Sequence, residues 1–311
     1  MKKSSLGKAL FLCVLVVMVA GICIALGMSA GDQEETGLQE SKQLPEVPEI
    51  NESEEIVSVN EVTEKGEEAA VSGEIEENGK EIPFDMTNPM PDETYAAIVS
   101  YQAKTTLQSE NGLGKAQVTV TVPQLAMRSQ AAGKVNEQLL AFYGDSYEYG
   151  ISAAGKDMEF QQEASQEKGE DFYYDYTYET GYQVTLLNDK YLSILADGYE
   201  YAGGAHGMPF RTPFIFQLET GEQVKGEELF ALSEEQFRDI KLEAYKELFV
   251  QSEEGSYWED ALSIVEEHTE FDSGYYLTEE GVTFFYEPYM LAPYAAGYVE
   301  VTVPYEQLPI V

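Results

Sequence analysis

Cysteine is nearly missing from this 311-residue chain. Its two copies, Cys13 and Cys23, both fall within an apolar N-terminal run, so the rest carries no disulfide framework, thiol nucleophile or cysteine-held metal. Histidine is equally scarce. With His206 and His268 alone, a zinc site would have to be completed by carboxylates. Basic residues are few: 18 Lys and Arg stand against 57 Asp and Glu, for a formal net charge of -39. Such a surface repels nucleic acid and anionic lipid, which need clustered Lys and Arg, and it draws cationic partners at a rate that falls with salt. The reactive motifs are missing too. There is no G-x-S-x-G elbow, no phosphate-cradling or dinucleotide glycine pattern, no H-E-x-x-H and no EF-hand loop. Carboxylates are so numerous that picking a glycosidase pair among them is arbitrary. No catalytic residue, metal ligand or cofactor is assigned, and a cryptic hydrolase is the minor alternative to a non-enzymatic role.

What is present divides the chain sharply. Lys2, Lys3 and Lys8 precede twenty uncharged residues, Ala9 to Met28, long enough to span a bilayer core of ~30 Å as a helix. The basic flank comes first, so the positive-inside rule places residues 1–8 in the cytoplasm and the bulk of the chain outside. Secretion after cleavage of the segment as a signal peptide is the alternative. Residues 29–83 form an acidic linker. Between Asp32 and Ile82 there are seventeen acidic residues, three lysines and no aromatic ring, so this stretch has too little apolar surface to offset its chain entropy and is expected to be disordered.

From Phe84 onward aromatic and β-branched residues take over. Ala116–Val122 alternates strictly and reads as a half-buried strand ended by Pro123. Ala132, Val135, Leu139 and Phe142 recur at helical spacing over 131–143. A tyrosine-dense strand follows, turned at Asn188-Asp189-Lys190, and Thr212–Leu218 is a further strand. Ser233 and Gln236 have the spacing of a capping box, and Ser256 to Glu259 repeats that signal before a helix running to about Glu267. Val282–Tyr286 and Tyr298–Val303 alternate as strands again. These patterns imply an α+β fold of antiparallel sheets with helices packed on one side, in two consecutive subdomains, 84–200 and 201–311.

Two stretches stand out as candidate contact sites. In YEYAGGAHGMPF, Tyr199 to Phe210, Gly203, Gly204 and Gly207 surround His206; the glycines permit φ > 0 and close backbone approach, and the ring is expected either to clasp the loop or to meet a ligand. In the second, Pro288 and Pro293 bracket a tyrosine-rich segment that cannot continue as a central strand, so Tyr289 and Tyr294 either pack inward or are presented on a rigid loop.

YEYAGGAHG with its following TGE turn and ELF segment, the later GVTFFYEPYMLAPYAAGYVEVTVPYEQL, and VTVPQL with KVNEQL together resemble the RsiV-type envelope domain family. That family includes the ectodomain of a lysozyme-sensing anti-sigma factor and the N-terminal region of the peptidoglycan deacetylase PdaC, and is described as paired domains of unknown function. The resemblance spans roughly Tyr95 to Leu308 and implies an extracellular α+β module of a Gram-positive envelope. For the anti-sigma branch it implies lysozyme as partner. The module is expected to recognise such a cationic protein or a cell-wall component, the alternatives being a wall-modifying hydrolase or deacetylase-associated accessory domain, or a purely structural envelope protein. Only eight residues precede the apolar segment, and the T-F-D-D and H-x-x-x-H motifs of the deacetylase chemistry are missing, so neither sigma-factor binding nor deacetylation is expected.

Overall fold

The computed structural model describes residues 83–311, apart from positions 93, 170, 269, 270 and 273. The anchor expected at 9–28 and the acidic linker up to residue 82 lie outside the described residues. Among the described residues no helix is long and apolar enough to cross a membrane.

A six-stranded sheet comes first, in the order β1 (Met90–Pro91), β2 (Ile98–Gln108), β3 (Lys115–Leu125), β4 (Asp175–Leu187), β5 (Tyr191–Tyr201) and β6 (Met208–Gln217). It is mixed rather than antiparallel throughout: β3 and β4 run parallel, from Lys115↔Asp175 to Val120↔Thr180. A parallel pair cannot be joined by a hairpin and needs a long crossover. Helix α1 (Gln130–Lys168) supplies it with 39 residues, three times the length that its apolar repeat suggests. Its N-terminus is capped by Ser129 Oγ, which accepts from Ala132 N at 3.0 Å, and Gly169 at φ 67 ends it.

The apolar pattern fades midway along α1 because the buried seam there is built of small and polar residues, Gly150, Ala154 and Gln161. A Cβ on Gly150 would lie 2.6 Å from Tyr178 Cδ1 and 2.8 Å from Val118 Cγ1, so the missing side chain is what lets the helix rest directly on the sheet. Beneath it Val118, Val120 and Val122 are fully buried. Pro123 does not end β3. It lies past the last β4 pairing at Val120, where that edge of the strand has no partner and a missing N–H costs nothing.

The second unit holds α2 (Glu234–Gln251), α3 (Ala261–Glu267) and a three-stranded antiparallel sheet of β7 (Tyr275–Leu277), β8 (Gly281–Tyr286) and β9 (Val299–Pro304). The expected capping box is present: Ser233 Oγ accepts from Gln236 N, and Gln236 Oε1 accepts from Ser233 N at 3.0 Å. Ser256–Glu259, however, does not cap α3. Asp260 stands at the cap position without a side-chain bond, while the Trp258 N–H is taken by Leu291 O at 2.9 Å, a tertiary contact that outweighs the local signal. The first sheet continues through β6, beyond residue 200 where the sequence divides the subdomains.

α1 packs one face of the large sheet, and the other face contributes Leu186, Tyr191 and Ile215 to the core of the second unit. Ser193, buried on β5, accepts the Leu277 N–H at 3.1 Å and joins the two sheets directly.

Three glycines of α1 should respond oppositely to the same change. Gly150→Ala is expected to lose about 1–3 kcal/mol by overpacking, offset in part by ~1 kcal/mol of helix propensity. Gly133→Ala and Gly155→Ala, with nothing within 4 Å of a new Cβ, should each gain up to ~1 kcal/mol. Urea unfolding of the three variants checks the signs.

Candidate binding surface

The loop between β5 and β6 carries the glycine–histidine motif. Gly203 and Gly204 adopt φ 84 and φ 88, left-handed values that other residues rarely take. Gly207 is buried, and a Cβ there would meet Glu200 O at 2.3 Å and the Tyr199 ring at 2.5 Å. Its N–H donates to Tyr199 Oη at 3.0 Å.

His206 itself is exposed. Its Nδ1 lies 3.0 Å from Gly207 O and its Nε2 3.0 Å from Tyr289 Oη. A carbonyl only accepts, so the neutral ring donates from Nδ1 and accepts the tyrosine hydroxyl at Nε2. The Tyr294 ring stacks on the imidazole with centroids 3.7 Å apart at 17°, and its hydroxyl donates to Gly207 O at 2.9 Å. The ring thus clasps its own loop and also faces solvent. Of the six residues singled out in the sequence, His206, Gly207, Tyr289 and Tyr294 meet here, although 83 positions separate His206 from Tyr289, whereas Gly203 faces the Tyr174 ring and Gly204 O accepts from Tyr201 Oη at 3.1 Å.

Tyr289 is presented rather than packed, at 44% exposure. Among the described residues it is the one non-glycine with a left-handed backbone, at φ 73, a conformation that costs roughly 1–2 kcal/mol. Trp258 completes the surface. It is 41% exposed, and its indole N–H donates to Tyr289 O at 3.1 Å. The sequence reading passed over Trp258 because its neighbours resemble a helix cap. The available signal was a lone tryptophan among exposed acids, with Glu253 and Glu254 before it and Glu259 and Asp260 after it.

Behind this surface lie two groups of partly buried carboxylates. Glu200 accepts from Tyr176 Oη at 2.7 Å and Tyr149 Oη at 3.4 Å, and Asp157 accepts from Tyr174 Oη and Gln161 Nε2, both at 2.7 Å. Burial raises both above the usual carboxylate range, only partly countered by these donors. The second group surrounds Arg211 on β6. Its Nε donates to Asp197 Oδ1 and its Nη1 to Glu300 Oε1, each at 2.7 Å. Among the described residues no cluster of His, Cys, Asp and Glu is arranged to hold a metal ion.

Residues 109–209 match the family model described as Deacetylase PdaC, and residues 225–306 match the one described as Protein of unknown function (DUF3298). The chain carries a PdaC-type domain followed by a DUF3298 domain. A crystal structure of a DUF3298 family member from Bacteroides fragilis is similar in fold, with TM-score 0.52 and 20% identity over 67% of this chain and 90% of that one. A DUF3298 family protein from Pseudomonas aeruginosa aligns at TM-score 0.41 and 16% identity, over 69% of this chain and 94% of that one. No curated protein matches. The PdaC-type match takes in the histidine loop, while Tyr289, Tyr294 and Trp258 fall in the DUF3298 part, so the surface is shared by the two.

Glu200 sets a pH dependence. Its folded-state pKa is raised, so its protonated form fits the fold better; that contribution is complete below the ordinary carboxylate range and disappears as pH rises through the raised value. Glu200→Gln should therefore be more stable than the parent at pH 7 and show a smaller gain in stability on acidification toward pH 5, measured by thermal unfolding across that window.

Proposed function

We propose that this chain is a non-enzymatic binding module of a bacterial envelope, held at the membrane by its N-terminal apolar segment. In this reading it recognises a cationic protein through the surface formed by His206, Tyr289, Tyr294 and Trp258. The observation that carries the reading is the meeting of two loops, distant in sequence, in one exposed aromatic surface, with Tyr289 held in a strained backbone conformation while its ring faces solvent. Strain of this kind persists where the surroundings impose it, and it gathers at sites of contact.

Charge supports the partner class. Trp258 is flanked in sequence by the exposed carboxylates of Glu253, Glu254, Glu259 and Asp260, and the whole chain is strongly acidic. A lysine or arginine of a partner would meet ring faces and carboxylates together; each exposed ring face contributes about 0.5–1 kcal/mol to a cation. The family resemblance makes lysozyme the natural probe.

The full chain in mild detergent is expected to bind lysozyme, more weakly as salt rises through the physiological range. Tyr289→Ala should weaken that binding by about tenfold or more, as truncation of a central aromatic contact does. Titration calorimetry at two salt concentrations measures both effects. Loss of lysozyme binding at low salt with retained, salt-independent binding of neutral wall glycan would replace the cationic protein by a polymer ligand. Full retention of binding by Tyr289→Ala would move the contact site elsewhere.

A further inference from the structure

The loop from Glu287 to Tyr298, which offers Tyr289 and Tyr294, lies against a single residue of β6. At its start Glu287 is half-buried, and the Arg211 backbone N–H offsets part of the burial that raises its carboxylate. At its end the Arg211 guanidinium carbon lies 3.8 Å from the centroid of the Tyr298 ring. The same guanidinium holds Asp197 on β5 and Glu300 on β9, and Glu300 also accepts from Tyr276 Oη of β7 at 3.0 Å. One side chain thereby ties the large sheet to the small one at the base of the contact loop.

Two features set this cluster apart from a packing contact chosen for stability. Two carboxylates, Asp197 and Glu300, share one guanidinium, and burial raises Asp197 and the neighbouring Glu287, so the excess negative charge is a cost. The Tyr298 hydroxyl is buried with no hydrogen-bond partner, which a phenylalanine would avoid. What the arrangement provides is geometry. A flat guanidinium serves two carboxylates and a ring face at once, which a point-charge ammonium does not do. The Arg211 side chain is only 16% exposed, its guanidinium taken up by Asp197, Glu300 and the Tyr298 ring.

We propose that Arg211 is the positioning residue of the binding surface. It fixes the conformation in which the 287–298 loop offers Tyr289 and Tyr294, without itself touching the partner. The functional half of this inference rests on the binding reading above; the structural half stands apart from it.

Trp258 allows the two halves to be tested separately. It is the chain's single tryptophan, and its indole bonds to the Tyr289 carbonyl, so its emission reports on the loop with no ligand present. In the full chain, Arg211→Lys is expected to shift Trp258 emission to longer wavelength, increase its quenching by acrylamide, and weaken lysozyme binding by about tenfold or more. In a Tyr289→Ala background the same change should alter affinity little, because both substitutions act through one loop. Tyr298→Leu removes only the ring beneath the guanidinium and should give the same spectral change, which keeps the test open if Arg211→Lys does not fold.

Unchanged Trp258 emission in the folded variants overturns the proposal, whatever happens to the melting temperature. So does a loss of affinity in Arg211→Lys that adds in full to that of Tyr289→Ala. If the parent chain binds no lysozyme, the cationic-partner reading falls, and the emission of the variants still decides whether Arg211 places the loop.

Discussion

Strands β5 and β6 have to be apolar on both faces, and the architecture follows from that demand. From Tyr191 to Ala196 every residue of β5 is buried, with Leu192, Ile194 and Ala196 turned to the core beneath α1 and Tyr191 turned to the core of the second unit. Phe214 and Phe216 on β6 join the first core while Ile215 between them joins the second. A sheet buried on both sides reads as a continuous apolar run, unlike the alternation of a half-solvated strand. The two domains therefore share a common wall. The loops at one end of that wall, from β5 to β6 and from β8 to β9, are brought together as a consequence, and the aromatic surface arises where they meet.

Much of the fold was legible wherever a side chain's pattern and its burial agree. The alternating valines of β3, the turn at Asn188 to Lys190 and the capping box at Ser233 all act through neighbours a few residues away, so their sequence signals survive in three dimensions. Misreadings came where distant contacts decide. α1 continues well beyond its apolar repeat because Gly150 and Ala154 are chosen for closeness to the sheet rather than for hydrophobicity. The parallel pairing of β3 with β4 left no local mark, since nothing in either strand records the direction of its neighbour.

The candidate site was half legible for a related reason. Glycines around a histidine, and tyrosines between prolines, are unusual enough to be picked out singly, but no spacing rule joins two loops so far apart. Arg211 is ordinary in its own segment, and Trp258 sits where a helix-cap pattern masks it. Their roles appear only once the indole is found against the Tyr289 carbonyl and the guanidinium against the Tyr298 ring.

The parallel pairing bears on how the chain acquires its shape. β3 is made well before β4, because the whole of α1 lies between them. Until Asp175 to Thr180 arrive, one side of β3 has bare amides and carbonyls, a template open to any passing strand. Contacts between residues this far apart close slowly, since the intervening chain must first give up its freedom. A helix that condenses early on the valines of β3 covers their face but leaves this edge open, so the newborn strand stays half-satisfied until its parallel neighbour arrives.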